Sequence, residues 1–497
     1  MVFSQGRFGG RCERKSFAIN RMPSDEPDIR PAQQAGGRAY ALDALRGFAI
    51  LMMVLCSVIP FGVLPPWMYH AQTPPPSHEF IPLPGLTWVD LVFPFFLFAM
   101  GAAFPLSVGR KLEKPGEGSS VAGQTAFRAL LLAGFGIYLE HVRPFVLAGG
   151  AEKTAGQWLM AMLGFGLLFT VLTRFPKDWK PATACTIRIC GLAAMLLLLF
   201  FIKYPDGSGF SIHRSDIIIM FLSAMAWAGT AVYAFTRASI PARLGVMAVL
   251  LAIKLFDTYV GFPKWTAFPL PWLFDWPHLR YLFVVIPGTI AGDIIAASLK
   301  QPRMDTVKEP WRYLSFAALM LCVIAATLCG LQARNTGLTA LADGVLLAAA
   351  FAALPAPESG TEKALRGFFL WGTAWFALGL LLEPYEGGIK KDPPTLSYYF
   401  TTAGLALFAL SALTVACDIF GKRRQLAIFI ENGQNPMIAY AASANFIAPV
   451  LALTGLGGLM SRMAPTPWLG FWRGVFETAL TALFVAFFTR RKIFWRT

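Results

Sequence analysis

R-A-Y-A-L-D-A-L-R-G-F-A-I-L-M-M-V-L-C-S-V, residues 38–58, and G-L-T-W-V-D-L-V-F-P-F-F-L-F-A-M-G, residues 85–101, frame the part of the chain that decides its class. Each opens an apolar run of about 20 residues, the length a helix needs to cross a hydrocarbon core. Between them lies a Pro-rich loop carrying His70 and His78, two of the five histidines in the chain. Asp90 falls about one turn inside the second run, where lipid does not tolerate a carboxylate without a partner. The core motif region is therefore residues 38–108.

The same pattern continues outward to the C-terminus. Of 497 residues, 56% are apolar and only 14% charged, where soluble chains carry about half and a quarter. The fold class is all-α, a polytopic transmembrane helical bundle of about 11–14 spans. Hydropathy places them near 42–62, 86–108, 126–147 and onward to 472–489, with one near 240–260. A net charge of +15 suggests nucleic acid in a soluble chain. In a membrane protein it reflects cytoplasmic loops that collect Lys and Arg, so no nucleic-acid partner is expected.

Most of the 43 Lys and Arg residues fall on alternate segments that include both chain ends. This bias predicts cytoplasmic termini and puts the His70/His78 loop, which has no Lys or Arg, on the outer face. Residues 1–37 lack periodicity and a signal-peptide core, and read as a disordered basic cytoplasmic tail. Residues 38–497 read as a single multi-span domain in the lipid bilayer. Segment 257–280, crowded with Trp, Phe and Pro, reads as an interfacial anchor or a platform for sugar rings. Segment 383–399, E-P-Y-E-G-G-I-K-K-D-P-P-T-L-S-Y-Y, is polar enough to roof an outward-facing site.

Chemistry has few carriers. An unperturbed histidine changes charge near neutrality, which suits a general base or acyl carrier; His70 and His78 are equally ordinary as solvated loop residues. Asp43 and Arg46 are three apart on a helix face. They form an interfacial ion pair or anchor an anionic ligand arriving from the cytoplasm. Glu140, Asp293, Asp343 and Asp418 are compatible with helix packing or with a polar lining. Asn432 and Asn435, in E-N-G-Q-N-P-M-I-A-Y, read as a helix start or as ligand groups. Spacing offers no metal site. G-x-x-x-x-G-K-[ST], G-x-S-x-G and H-E-x-x-H are all missing from the sequence, which removes the motif evidence for an NTPase, an α/β-hydrolase or a zincin.

L-D-A-L-R-G-F-A-I-L-M-M-V, the His-containing loop and G-L-T-W-V-D-L-V-F-P-F-F-L-F-A-M-G together resemble the heparan-α-glucosaminide N-acetyltransferase family and its bacterial relatives. K-K-D-P-P-T-L-S-Y-Y-F-T-T-A-G-L-A-L (390–407) and N-G-Q-N-P-M-I-A-Y (432–440) are similar as well. The resemblance implies transfer of an acetyl group from cytoplasmic acetyl-CoA to an amino sugar or glycan on the far side of the membrane. It implies a catalytic histidine in the loop, His70 or His78. His70 is favoured for its H-A context, while His78 lies nearer the G-L-T-x-x-D block. Asp90 would orient the imidazole, and Ser57 stands where the family has an Asn. Lys390, Lys391, Thr395, Ser397 and Tyr398 would line the acceptor side, joined by Asn432 and Asn435. Asp43, Arg46 and nearby basic residues would hold the phosphates of CoA. The setting expected is a bacterial inner membrane, with a homodimer left open. The alternative is a carrier or flippase for sugars or lipid-linked glycans, using the same cavity without covalent chemistry.

Overall fold

A computed structural model describes residues 37–114, 116, 118–175, 179–261, 276–301 and 307–495. Residues 1–36 of the tail 1–37, read as disordered, and residues 262–275 of the aromatic segment lie outside the described residues. In lipid the backbone finds no water, so each apolar run closes its N–H and C=O groups internally as a helix. The long helices are α1 (Tyr40–Val58), α2 (Trp88–Leu112), α3 (Gly118–His141), α4 (Ala155–Leu172) and α5 (Pro181–Phe201). After α6 (Ile217–Thr236) and α7 (Ile240–Tyr259) come α8 (Trp276–Leu299), α9 (Pro310–Gln332) and α10 (Thr336–Ala353). The last are α11 (Gly360–Glu386), α12 (Leu396–Ile419), α13 (Pro436–Leu453) and α14 (Pro467–Arg490).

Among the described residues, 13 of these helices are long and apolar enough to cross a membrane, so this is a multi-pass membrane protein. The other is α7, the expected span near 240–260. It is as long, but Arg243, Lys254 and Asp257 interrupt its apolar character. Arg243 is fully buried and reaches Asp293 of α8 at 2.7 Å. Tyr40 at the start of α1 and Arg490 at the end of α14 line one cavity. Both ends of the bundle therefore lie on the same side.

Burial sorts the helices into an inner group and an outer ring. Buried residues make up 61–78% of the apolar windows of α1, α2, α6, α8 and α12, but only 17% in α5 and 22% in α10. Without a hydrophobic drive between helices in lipid, close packing depends on small residues. The short helix Ala427–Gln434 lies on α1 in this way. A Cβ on Gly433 would stand 1.8 Å from the Asp43 carbonyl oxygen, and one on Gly47 would stand 1.7 Å from that of Phe429. Helices α2 and α8 meet likewise, through Gly101 and Gly288.

The other acids read from the sequence serve packing. Asp343 accepts from Thr327 (2.9 Å), Asp418 pairs with Arg423 (3.1 Å), and Glu140 pairs with Arg143 (3.2 Å). Arg143 also bonds Asp216 at the start of α6 and donates to the Tyr440 hydroxyl of α13 (3.1 Å). These ties leave α1, α2 and α12 in the middle of the bundle, where their ends on one side converge.

Candidate active site

The convergence point lies where α1 ends and α2 and α12 begin. After α1 the chain folds back through a short 3-10 turn, Pro66–Met68. Tyr69 pins this fold: its hydroxyl donates to the Pro60 carbonyl (2.7 Å) and accepts from the Leu64 N–H (3.0 Å). Farther on, the buried Gln72 donates to the Leu83 carbonyl (2.8 Å). Buried polar contacts thereby fold the loop on itself, and the Thr87 hydroxyl at the start of α2 donates to the Tyr69 carbonyl (2.6 Å).

Asp90 is wholly buried in the first turn of α2. One oxygen, Oδ2, accepts from the Thr87 N–H (3.0 Å) and the Ala71 N–H (3.2 Å). T-W-V-D is thus a capping sequence, in which an acid three residues into the helix bonds back to the N-cap backbone. The other oxygen, Oδ1, is left for His70, whose Nδ1 lies 2.7 Å away. A carboxylate only accepts, so Nδ1 carries the proton and Nε2 keeps its lone pair. The His70 side chain is 39% exposed, so it is accessible from outside the bundle. His78, by contrast, is stacked on Phe61 with ring centroids 3.7 Å apart, in an exposed position.

Lys391 comes from the loop before α12. Its Nζ lies 2.9 Å from Nδ1 and 3.2 Å from Nε2 of His70, and 3.9 Å from Asp90 Oδ1. Burial pushes the Lys391 ammonium below its ordinary lysine value, while the Asp90 carboxylate pulls in the opposite direction. The loop is built to hold it. Thr395 caps α12 by accepting from the Tyr398 N–H (3.2 Å), and also accepts from the Lys390 N–H (3.1 Å). The Glu386 carboxylate reaches over to accept from Leu396 N–H (2.8 Å) and Ser397 N–H (2.7 Å). It satisfies two donors that a helix start leaves without partners. The Tyr398 hydroxyl donates to the Asp90 carbonyl (2.9 Å), tying α12 to α2 under the cluster.

The structure therefore brings His70, Asp90, Lys391 and Tyr398 together and sends other expected residues elsewhere. Thr395 and Ser397 serve the cap, with the buried Ser397 hydroxyl donating to that of Thr395 (2.9 Å). Ser57 is exposed, and its hydroxyl donates to the Val54 carbonyl of its own helix (2.7 Å). Cys56, one residue earlier, is half-buried, and its thiol donates to the Met53 carbonyl of the same helix (3.1 Å). Asn432 and Asn435 belong to the opposite side of the bundle. Asn432 donates to the Ala482 carbonyl of α14 (3.1 Å), and Asn435 to the Ile493 carbonyl (2.7 Å). They pack the chain end against the break before α13, about the length of α1 away from His70.

Asp43 and Arg46 also lie on that opposite side and are engaged in structure. Asp43 pairs with Arg38 (2.6 Å) and Arg46 (3.6 Å), and Arg46 donates to the Gly433 (3.3 Å) and Ala99 (3.4 Å) carbonyls. The cavity on this side, about 240 Å³, is lined instead by Tyr40, Arg423, Glu431, Gln434, Thr489 and Arg490.

Fold and site define a polytopic helical membrane protein with a histidine–carboxylate–lysine cluster at one end of its inner helices. More particularly, the chain belongs to the family described as a domain of unknown function, DUF5009, whose profile matches residues 38–295, just over half of it. The chain is also 24% identical over 163 residues to the heparan-alpha-glucosaminide N-acetyltransferase of Mus musculus. It is 32% identical over 119 residues to the protein of that name from Homo sapiens. These matches cover 33% and 23% of this chain, and only 23% and 16% of the relatives. The resemblance read from the residues and these likenesses point to the same group of proteins.

Proposed function

We propose that this protein is a transmembrane acetyltransferase that moves an acetyl group from cytoplasmic acetyl-CoA to an amino sugar or glycan on the outer face. The observation that carries this reading is the His70–Asp90 contact of 2.7 Å, formed inside the stretch that the DUF5009 profile matches. Asp90 fixes the ring and its tautomer, as the third group of a triad does, and leaves Nε2 as the nitrogen that acts. As a base, Nε2 takes the acceptor amine's proton while the new N–C bond forms and the thioester C–S bond breaks. The proton then passes to the departing thiolate. As an acyl carrier, the same nitrogen would bear the acetyl group between two half-reactions. Both routes need His70 in one tautomer, and neither needs His78.

In this reading both termini lie in the cytoplasm and the His70 cluster faces the outside of an inner membrane. Arg423 and Arg490, paired with Asp418 and Glu431 on the terminal side, are the cations of that cavity that would meet the phosphates of the donor. The test is transfer of labelled acetyl from acetyl-CoA to glucosamine by the purified full chain, with His70→Ala and His78→Ala beside the wild type. Activity lost in His70→Ala alone supports the reading. Wild-type inactivity across amino sugars and hydroxylated glycans, with no CoA binding, would leave a carrier or flippase.

A further inference from the structure

The acetyl-transfer steps above use His70 and Asp90 and leave Lys391 without a task. It pairs with Asp90 through space, but its closest partners lie elsewhere. Its Nζ stands 3.9 Å from the nearest carboxylate oxygen, outside hydrogen-bond range, yet 2.9 and 3.2 Å from the two ring nitrogens of His70. The ammonium is held against the edge of the ring between the two nitrogens, 2.9 Å from Nδ1 and 3.2 Å from Nε2, the nitrogen that reacts. The Glu386 and Thr395 contacts fix the backbone on both sides of Lys391. The lysine side chain is only 23% exposed, and out of bulk water a charge acts more strongly on its neighbours.

We propose that Lys391 is a catalytic residue whose ammonium stabilises the oxyanion formed on the thioester carbonyl. This rests on the acetyl-transfer reading and deepens it. An acceptor nitrogen that gives its proton to Nε2 lies about 3 Å from it, and the carbonyl carbon it attacks lies about 3–3.5 Å farther along. Because Nζ is 3.2 Å from Nε2, the carbonyl oxygen of that carbon comes within reach of the ammonium. As the N–C bond forms, the carbonyl π pair moves onto this oxygen beside a fixed positive charge. When the pair returns, the C–S bond breaks, the thiolate leaves, and the imidazolium of His70 protonates it. Lys391 keeps its own protons throughout. The titratable and charged groups facing it are Asp90 of α2, His70 of the first loop, Cys56 of α1 and Asp392 of its own loop.

The test measures kcat and acceptor KM for the full chain in detergent, with acetyl-CoA and glucosamine, in wild type, Lys391→Gln and Lys391→Arg. Loss of a single oxyanion donor predicts a kcat about 10²–10³-fold lower in Lys391→Gln, with acceptor KM little changed. Lys391→Arg keeps the cation and should retain a measurable fraction of wild-type kcat. A Gln variant with wild-type kcat, or one altered only in acceptor KM, overturns the role. If the Gln variant melts well below wild type, the Arg variant decides. Wild type should lose kcat at alkaline pH as the Lys391 ammonium gives up its proton; arginine stays charged at every working pH, so Lys391→Arg should not, and an equal alkaline fall in that variant would overturn the proposal. Wild-type inactivity with every acceptor defeats the acetyl-transfer reading and this role with it, whereas active wild type with a normal Gln variant defeats this role alone.

Discussion

His70 and Lys391 stand 321 positions apart in the chain, and their side chains meet at 2.9 Å. One belongs to the loop after α1 and the other to the loop before α12. They meet because α2 and α12 start side by side, joined by the bond from the Tyr398 hydroxyl to the Asp90 carbonyl. A histidine with a carboxylate behind it and a cation beside it is a constellation in which proton transfer and charge stabilisation are both available.

Asp90→Asn tests what lies behind the ring. The amide still accepts from the Thr87 and Ala71 N–H groups, so α2 should keep its cap. It can also donate to Nδ1, which removes the preference for the tautomer that leaves Nε2 free. Acetyl transfer should fall on the order of 10²–10⁴-fold, with a melting temperature close to wild type. Undiminished kcat would mean that Asp90 serves only the helix.

The lysine gives a pH dependence. Burial favours its neutral form, so the folded-state pKa lies below the ordinary lysine value, 10.5. At pH below that lowered pKa the ammonium is present and transfer proceeds; as pH rises through it, the charge and the activity go together. The stability sign is separate: an unfolded lysine holds its proton more tightly, so this group penalises folding at neutral pH, and the penalty fades as pH rises toward 10.5. A kcat–pH profile of wild type with an alkaline limb below pH 10.5 is expected.

Glu386 acts at a distance from the reaction. Replacing it with Ala removes both acceptors at the start of α12, as loss of a helix cap does, and should cost about 0.5–2 kcal/mol of stability. It should also lower kcat by loosening the loop that holds Lys391, with acceptor KM less affected. Thermal melting and initial rates on the same preparation separate the two effects.

Gly433 is a packing prediction independent of function. A methyl group there would meet the Asp43 carbonyl oxygen at 1.8 Å, with Gly47 N at 2.8 Å. Backbone cannot swing aside as a side chain can, so Gly433→Ala should destabilise by about 1–3 kcal/mol or more. Gly134→Ala is the control, because nothing lies within 4 Å of the added atom. Size-exclusion profiles and melting curves in detergent should separate the two variants clearly.

The sequence by itself determined the class of the protein. Apolar runs of spanning length, a low charge content and an acid inside an apolar run follow from the physics of lipid as a solvent, which acts residue by residue along the chain. Asp90 was legible for that reason, and a histidine of the first loop was legible as its neighbour in sequence. Only the tertiary structure chose between His70 and His78 as the Asp90 partner, since both lie in the same Pro-rich loop and differ in where it folds. Nor could local pattern reveal that Lys391 faces that histidine, that Ser57 turns to its own helix, or that Asn432 and Asn435 pack the far end of the bundle. Those outcomes depend on which helix ends lie side by side. In lipid that choice is made by glycine contacts, caps and buried polar bonds between distant segments, which leave no periodic trace in sequence.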